Sequence, residues 1–206
     1  MVAHRNSMVA SEGWPWLIAL GVCWGLVYRF WGLGPTWPLA VLGFLLFLLF
    51  RDPGRSVPPL PLGVLAPTDG RVVEVITGEA PELPGQWTCI KIRNNHFGAY
   101  TVRSPIEGSV KDVRDIHEKH DRSGPKGLWV RSEEQDDVVL LFPGSGSWRS
   151  PKAFIRYGER LGQGQRFAFL RLAPVAAVYL PATAITQVQP GDRVKAGLTV
   201  LADLAS

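Results

Sequence analysis

The sequence predicts a mainly β protein that is preceded by a pair of short apolar helices. Three observations indicate this class: two apolar runs that come first, Val- and Ile-rich stretches between Gly/Pro turns, and two internal repeats. The 206 residues divide into an N-terminal tail (1–13), a membrane helical hairpin (14–50) and a β domain (51–206). The repeats predict that this domain is a pseudo-symmetric barrel-sandwich built like the repeats of lipoyl domains.

The apolar runs are WPWLIALGVCWGLVY (14–28) and WPLAVLGFLLFLLF (37–50), with Gly32, Gly34 and Pro35 in a turn between them. Each run is about 15 residues long, fewer than the roughly 20 that a perpendicular membrane-spanning helix needs. Tryptophans flank both runs, and basic residues lie at the outer ends of the pair. We therefore expect an α-helical membrane hairpin with both ends in the cytoplasm, which either spans the bilayer or dips in from one side. A cleaved signal peptide is disfavoured because no small-residue cleavage site precedes the second run.

The charge and the cysteines exclude several classes of protein. The net charge is +4, and the Lys and Arg residues are scattered, without a basic run or interleaved aromatic residues. This pattern argues against nucleic-acid binding and favours attraction to an anionic membrane surface. Cys23 and Cys89 lie in different segments, so they indicate neither a disulfide framework nor a metal site.

Two repeats organise the β domain. APTDGRVVEV (66–75) and SPIEGSVKDV (104–113) share a Pro-x-acid-Gly turn followed by valines, which is typical of a tight turn that leads into a strand. GERLGQGQRFAFL (158–170) and GDRVKAGLTVLAD (191–203) share Gly-acid-Arg-apolar-x-x-Gly before a strand. A lipoyl or biotin carrier is disfavoured, because no lysine lies at a hairpin tip with a matching tip sequence.

Motifs along most of the chain stand in a recognisable order: Phe50-Arg51-Asp52-Pro53-Gly54-Arg55, Pro67-x-Asp69-Gly70-x-Val72, Arg103-x-Pro105-x-x-Gly108-x-Val110, Gly164-x-Arg166-Phe167, Val178-Tyr179-Leu180-Pro181 and Gly191-x-x-Val194-x-Ala196-Gly197-x-Thr199-Val200. This series resembles the short bacterial type of the phosphatidylserine decarboxylase family. The resemblance implies self-cleavage at a Gly-Ser bond, after which the serine becomes a pyruvoyl group that forms a Schiff base with the substrate amine. It also implies an Asp–His pair that assists the serine.

The chain departs from this pattern at the reactive positions. Ala173 and Pro174 stand where the family has Gly-Ser, and Tyr100 stands where it has the histidine. Proline has no hydroxyl group, and a phenol with a pKa of about 10 is a poor base at neutral pH. Only Asp69 is retained. We therefore expect no pyruvoyl cofactor, and a lipid pocket formed by Asp69, His96, Tyr100 and Arg103.

The sequence offers few replacements for the lost groups. Ser145 and Ser147 in PGSGSW follow glycines and offer an unorthodox cleavage site, but a flexible Gly/Ser turn is the favoured interpretation. His96 lies four residues before Tyr100, and a loop histidine without a role is favoured there. His117 and His120 in HEKHDR have no third ligand at useful spacing, so we expect a solvated loop and no metal.

The leading hypothesis is a membrane-anchored pseudoenzyme at the bacterial inner membrane, with its β domain facing the cytoplasm. It would bind aminophospholipid or a membrane protein partner, a homodimer is plausible, and no nucleic acid is expected. The alternatives are an active phosphatidylserine decarboxylase that uses an unorthodox cleavage site, and a structural β-adaptor in a membrane assembly.

Overall fold

The computed structural model describes residues 14–32, 34–50, 54–58, 60–80, 83–95, 98–112, 127–144, 149, 151–170 and 172–204. The chain divides into two compact units, Met1–Gly54 and Arg55–Ser206. The first unit is helical, and the second consists of strands and their connections. The prediction of a mainly β protein is confirmed.

The helical unit contains α1 (Trp14–Trp31), a 3₁₀ turn (Gly34–Thr36) and α2 (Trp37–Phe50). Gly32 follows α1 with a φ of +74°, and its N–H donates to the carbonyl oxygen of Tyr28 at 3.0 Å. A left-handed glycine with this hydrogen bond is a common helix terminator. The chain therefore turns where the sequence predicted a turn.

Most large apolar side chains of this unit are exposed. α1 has no buried residue, and Trp16, Phe30 and Trp31 are each more than half exposed. The two helices come close where Gly43 of α2 faces Leu20 of α1. Among the residues that the structure describes, no helix is both long enough and apolar enough to cross a membrane. The two predicted helices are present, but the prediction of a transmembrane hairpin is not supported.

The second unit contains short strands in the order β1 (Gly63–Leu65), β2 (Gly70–Ala80), β3 (Leu83–Asn94), β4 (Thr101–Arg103), β5 (Gly108–Asp112), β6 (Gly127–Arg131), β7 (Asp137–Leu141), β8 (Lys152–Ala153), β9 (Arg160–Leu161), β10 (Arg166–Phe169), β11 (Val175–Pro181), β12 (Ile185–Thr186), β13 (Arg193–Val194) and β14 (Val200–Asp203).

These strands form three antiparallel sheets. The large sheet has the order β13-β2-β3-β11-β7-β6-β5-β9, and the small sheets have the orders β1-β14-β12 and β4-β10-β8. Alternate residues of the central strands face the core. Ile90 of β3 lies opposite Val178 of β11, and both side chains are completely buried. Burying one side chain of this size contributes about 1.5–3 kcal/mol.

Two halves of the second unit occupy equivalent positions in the large sheet. Each strand counted from one edge therefore has a counterpart at the same place counted from the other edge. One half consists of β1–β3 with β11–β14, and the other consists of β4–β6 with β7–β10. Strands β13, β2, β3 and β11 correspond to β9, β5, β6 and β7, and the two small sheets match strand for strand. The internal repeats of the sequence are thus matching strands in an approximate two-fold arrangement.

The two copies of the Pro-acid-Gly turn contact each other reciprocally. The N–H of Leu65 donates to the carbonyl of Pro105 at 2.8 Å, and the N–H of Arg103 donates to the carbonyl of Pro67 at 2.9 Å. These residues hold equivalent positions in the two halves. The paired hydrogen bonds fasten the two turns together at the start of β2 and β5.

Both turns end in a glycine because the neighbouring strand passes very close. A Cβ atom at Gly70 would lie 2.2 Å from the carbonyl oxygen of Arg93, and one at Gly108 would lie 2.2 Å from that of Arg131. No side chain fits at such a distance. The glycines of the repeat are therefore required by backbone packing.

The predicted barrel is wrong. Among the described strands the large sheet does not close, and it ends at the edge strands β13 and β9. The reason lies in β14 and β10, the last strands of the two halves. They do not pair with the large sheet but with β1 and β4, so each half forms a separate small sheet.

Candidate functional site

Four segments of the second unit meet where β3 ends. They are the turn before β2 with Asp69, the loop before β4 with Tyr100, the segment before β11 with Pro174, and the end of β3 with Asn94 and Asn95. The N–H of Asn94 donates to the carbonyl of Pro174 at 2.9 Å, and the N–H of Asn95 donates to the carbonyl of Asp69 at 2.9 Å. The fold thus brings together Asp69, Tyr100 and Pro174, the positions at which the resemblance implies reactive groups.

The carboxylate of Asp69 accepts four hydrogen bonds. Arg55 donates to both of its oxygens at 2.6 Å. The N–H of Ala196 donates to Oδ1 at 2.8 Å, and the N–H of Ala99 donates to Oδ2 at 3.1 Å. Arg55 also donates to the carbonyl oxygen of Ala196 at 2.7 Å. Both side chains are largely enclosed, with 9% of Arg55 and 14% of Asp69 exposed.

This network fixes the ionisation state of Asp69. Burial alone would raise its pKa, but the hydrogen bonds from Arg55, Ala196 and Ala99 and the charge of Arg55 outweigh burial and hold the pKa below its ordinary value. The carboxylate is therefore ionised at neutral pH. Its hydrogen bonds serve to join the turn before β2 to Arg55 and to the residues before β4 and β14.

Tyr100 is buried beside the aromatic ring of Phe169, with 6.4 Å between the ring centroids. Its carbonyl oxygen accepts a hydrogen bond from the N–H of Leu170 at 2.8 Å. Burial raises the pKa of the phenol above its ordinary value. Tyr100 is accordingly neutral at physiological pH, and less of it is in the phenolate form that could accept a proton than in an exposed tyrosine.

Ala173 and Pro174 are held in place by Asn94. The side-chain Nδ2 of Asn94 donates to the carbonyl oxygen of Ala173 at 2.8 Å, and β11 begins immediately after Pro174. Asn94 is 4% exposed, and its Oδ1 atom is buried without a hydrogen-bond partner in the described structure. A pyruvoyl group made from a serine does not fit these residues, since the side chain at position 174 is a proline ring without a hydroxyl group.

The structure places Arg103 beside Gly164 and Gly197, the last glycines of the two Gly-acid-Arg-apolar-x-x-Gly segments. Its NH1 donates to the carbonyl oxygen of Gly164 at 3.1 Å, and its Cδ would lie 2.9 Å from a Cβ at Gly197. Arg103 is buried. Its side chain therefore packs beside the turn that follows Ala196, and Asp69 is bound by a different arginine.

Several predicted residues lie outside the described part of the chain. These are His96 of the predicted lipid pocket, the serines proposed for rescue and the two histidines of HEKHDR: Ser145, Ser147, His117 and His120.

The sequence does not mark two important residues as site residues. Arg55 stands in it only as part of a motif, although its side chain forms an ion pair with Asp69. Asn94 carried no motif at all, and its only signal was a polar pair, Asn94-Asn95, at the end of an apolar strand. Thr68, next to Asp69, is also buried, and its hydroxyl has no hydrogen-bond partner in the described structure.

Comparison with known proteins extends the likeness to nearly the whole chain. The sequence profile of the phosphatidylserine decarboxylase family matches residues 44–202. A phosphatidylserine decarboxylase proenzyme of Ralstonia nicotianae is 31% identical over 210 residues, which cover 98% of this chain and 98% of the relative. The proenzyme of Burkholderia mallei is 30% identical over 217 residues, covering 98% of this chain and 97% of the relative. On these matches, the chain belongs to the phosphatidylserine decarboxylase family.

Proposed function

We propose that this chain is a member of the family that does not decarboxylate, and that it binds an aminophospholipid or a membrane protein partner. In this proposal it acts at the bacterial inner membrane, with the second unit facing the cytoplasm. The observation that carries the proposal is Pro174, at the position where the family has the serine that forms the pyruvoyl group.

Self-cleavage needs a nucleophile next to a carbonyl group. Ala173 supplies the carbonyl, which Asn94 holds by a hydrogen bond of 2.8 Å. Pro174 supplies no nucleophile, because its side chain is a saturated ring. The chain therefore carries the pyruvoyl position without the chemistry that would make the group.

The groups that would assist such a reaction are also committed elsewhere. Tyr100 holds the histidine position, and burial raises the pKa of its phenol, so it cannot accept a proton at neutral pH. Asp69 is engaged by Arg55 and two backbone N–H groups. The lack of a base at position 100 supports a site that does not react, whereas the Arg55–Asp69 contact joins two motifs of the resemblance and supports an intact scaffold.

The polar atoms left at the site support a ligand that donates hydrogen bonds. The Oδ1 atom of Asn94 is a buried acceptor next to Ala173 and Pro174, and it has no donor in the described structure. The amine of an aminophospholipid is a donor of this kind. The exposed apolar side chains of α1 and α2 support attachment to a membrane.

A homodimer or another membrane protein is the second kind of partner in the proposal. The outer face of the large sheet carries Trp87, Trp129 and Tyr179, which pack on Val139 and Leu141 and remain only partly buried. Partly buried aromatic residues are enriched where proteins associate.

The intact mass of the purified full-length chain tests the inactivity directly. We expect one species with the mass of the whole chain and no release of carbon dioxide from phosphatidylserine. Two fragments, the C-terminal one blocked by a pyruvoyl group, would instead assign the chain the activity for which its relatives are named. The mass would then show whether Ser145, Ser147 or another serine was used.

Lipid binding is tested with vesicles of equal net charge that contain either phosphatidylethanolamine or phosphatidylcholine. We expect tighter binding to phosphatidylethanolamine, because only its amine has N–H groups to donate. Equal binding to both vesicles would reject the aminophospholipid and leave the protein partner.

A further inference from the structure

We propose that Arg71, Arg93 and Arg193 form a docking surface for the phosphate groups of an anionic phospholipid membrane. This inference rests on the proposed role at a membrane and names the residues that make the contact. The three arginines are far apart in the sequence, and the fold places them next to one another.

The geometry follows from the strand register. Arg193 of β13 is the partner of Arg71 of β2, and Arg71 is the partner of Arg93 of β3. Direct partners on antiparallel strands point to the same face of a sheet. The three side chains, all exposed, therefore form one row across the edge of the large sheet, which we call the basic row. With strands about 4.8 Å apart, the row is about 10 Å long.

The three charges of the basic row have no opposite partner in the part of the chain that the structure describes, and none of the three side chains forms an ion pair or a hydrogen bond there. Elsewhere the same sheet pairs basic side chains with acidic ones, as in Lys91 with Glu74 at 2.7 Å. Arg131 and Asp137 form a second such pair, also at 2.7 Å. Like charges placed directly opposite destabilise a sheet, so the basic row is an exception that calls for an external anion.

The basic row lies beside the candidate site. Arg71 directly follows Gly70 of the Asp69 turn, and Asn94 directly follows Arg93. Arg93 is also the register partner of Val175, the residue after Pro174. An anion bound at the row would therefore lie next to the segments that meet at the end of β3.

The chemistry of the row fits phosphate. Guanidinium groups bind phosphate oxygens through paired hydrogen bonds, and basic clusters hold proteins on the anionic lipids of the cytoplasmic leaflet. A lipid surface presents many phosphates in one plane, which suits a row on a flat sheet face. The exposed apolar helices of the same chain also favour a membrane over a nucleic acid.

The test uses the full-length chain and two kinds of vesicle, one of phosphatidylcholine alone and one with added phosphatidylglycerol, which is anionic and has no amine. The quantity measured is the ratio of the two partition coefficients, because attachment through the apolar helices contributes to both and cancels. The variant is R71Q/R93Q/R193Q. The matched control is K111Q/K152Q/R156Q, which removes three exposed charges outside the row.

We expect the native chain to prefer anionic vesicles, and this preference to weaken as salt rises from about 50 to about 500 mM. For the row variant, the ratio of the two partition coefficients should be roughly a hundred-fold lower than for the native chain, at about 1 kcal/mol per basic residue. The control should keep most of it. Far-ultraviolet circular dichroism and the thermal midpoint show whether each variant is folded.

Three results would overturn the inference. One is an unchanged ratio in the folded row variant, and another is an equal loss in the control, which would assign the preference to net charge. The third is a folded row variant that loses oligonucleotide binding while its ratio of vesicle partition coefficients is unchanged, which would assign the row to nucleic acid. A native chain that binds neither vesicle contradicts the proposed membrane role itself, whereas equal binding to both contradicts only the basic row.

Discussion

The guanidinium group of Arg55 binds both carboxylate oxygens of Asp69, with two nitrogen–oxygen distances of 2.6 Å. The same carboxylate accepts two further hydrogen bonds, from the N–H groups of Ala196 and Ala99. The pair joins the first residues of the second unit to the turn before β2. The first two predictions follow from this contact.

Replacing Asp69 with asparagine should lower the free energy of unfolding by about 3 kcal/mol, because it leaves the enclosed Arg55 without its counter-charge. Denaturant unfolding of the full-length chain measures this loss. E159Q removes an exposed acidic group and should change stability little. Equal stabilities of the two variants would show that the Arg55 contact is energetically unimportant.

Stability should fall in acid partly through Asp69. Its pKa is lower in the folded chain than the ordinary value of 3.8, so the stability it contributes is complete above the unfolded-state pKa. That contribution is lost as the pH falls from there through the folded pKa. Asp137, whose pKa is also lowered, adds a similar slope. Unfolding measured against pH should therefore show a shallower acid loss in D69N than in the native chain, and parallel curves would contradict the assignment.

Restoring a serine should not restore self-cleavage by itself. In P174S the nucleophile is present, but Tyr100 still holds the base position and burial raises the pKa of its phenol. We expect P174S to remain one chain and Y100H/P174S to yield two fragments on a denaturing gel. Cleavage of P174S alone would mean that the tyrosine is not limiting.

The two close-packed glycines should be intolerant of alanine. A Cβ at Gly70 or Gly108 would lie 2.2 Å from a backbone oxygen, whereas nothing lies within 4 Å of one at Gly78. We expect G70A and G108A to lose more than about 3 kcal/mol through overpacking and backbone shifts, and G78A to gain about 0.5–1 kcal/mol. Thermal or denaturant unfolding of the three variants separates these outcomes, and similar values for all three would refute the close approach.

The basic row predicts a stabilising substitution. Arg71 is flanked by Arg93 and Arg193, so R71Q removes two repulsions and should raise the free energy of unfolding by about 0.2–1 kcal/mol. The gain should be larger in low salt than in high salt, because mobile ions screen exposed charges. A loss of stability at low salt would argue that the row is already compensated in the folded chain.

Much of the fold was predictable because the repeats are strong local signals. The Pro-acid-Gly turns and the Gly-acid-Arg turns each mark a strand start, and the structure places β2, β5, β10 and β14 after them. The sheet order was not predictable, because pairing β13 with β2 depends on contacts between the two ends of the second unit. The expected barrel failed for this reason, since local repeats do not reveal which sheet a strand joins.

The site was predictable only where a motif named it. Asp69, Tyr100, Ala173 and Pro174 were identified by comparison with a family pattern, and the fold brings them to one end of β3. Asn94 and the basic row had no sequence signal, because they depend on register between distant strands. Scattered arginines in the sequence became a cluster in space, which reverses the impression that the chain has no concentrated positive charge.

The division of one half between the two ends of the second unit also determines when the large sheet can form. β2 and β3 are made early, yet the strands that flank them, β13 and β11, are made near the end. One half, β1–β3 with β11–β14, is divided between the two ends of the second unit, and β4–β10 is inserted between them as one continuous piece, so no partial chain emerging from the ribosome can complete the large sheet. Completion of this sheet must wait for the last strands, and non-local pairing of this kind is slow. Until then the early strands expose unpaired edges, which makes the nascent chain dependent on protection from aggregation.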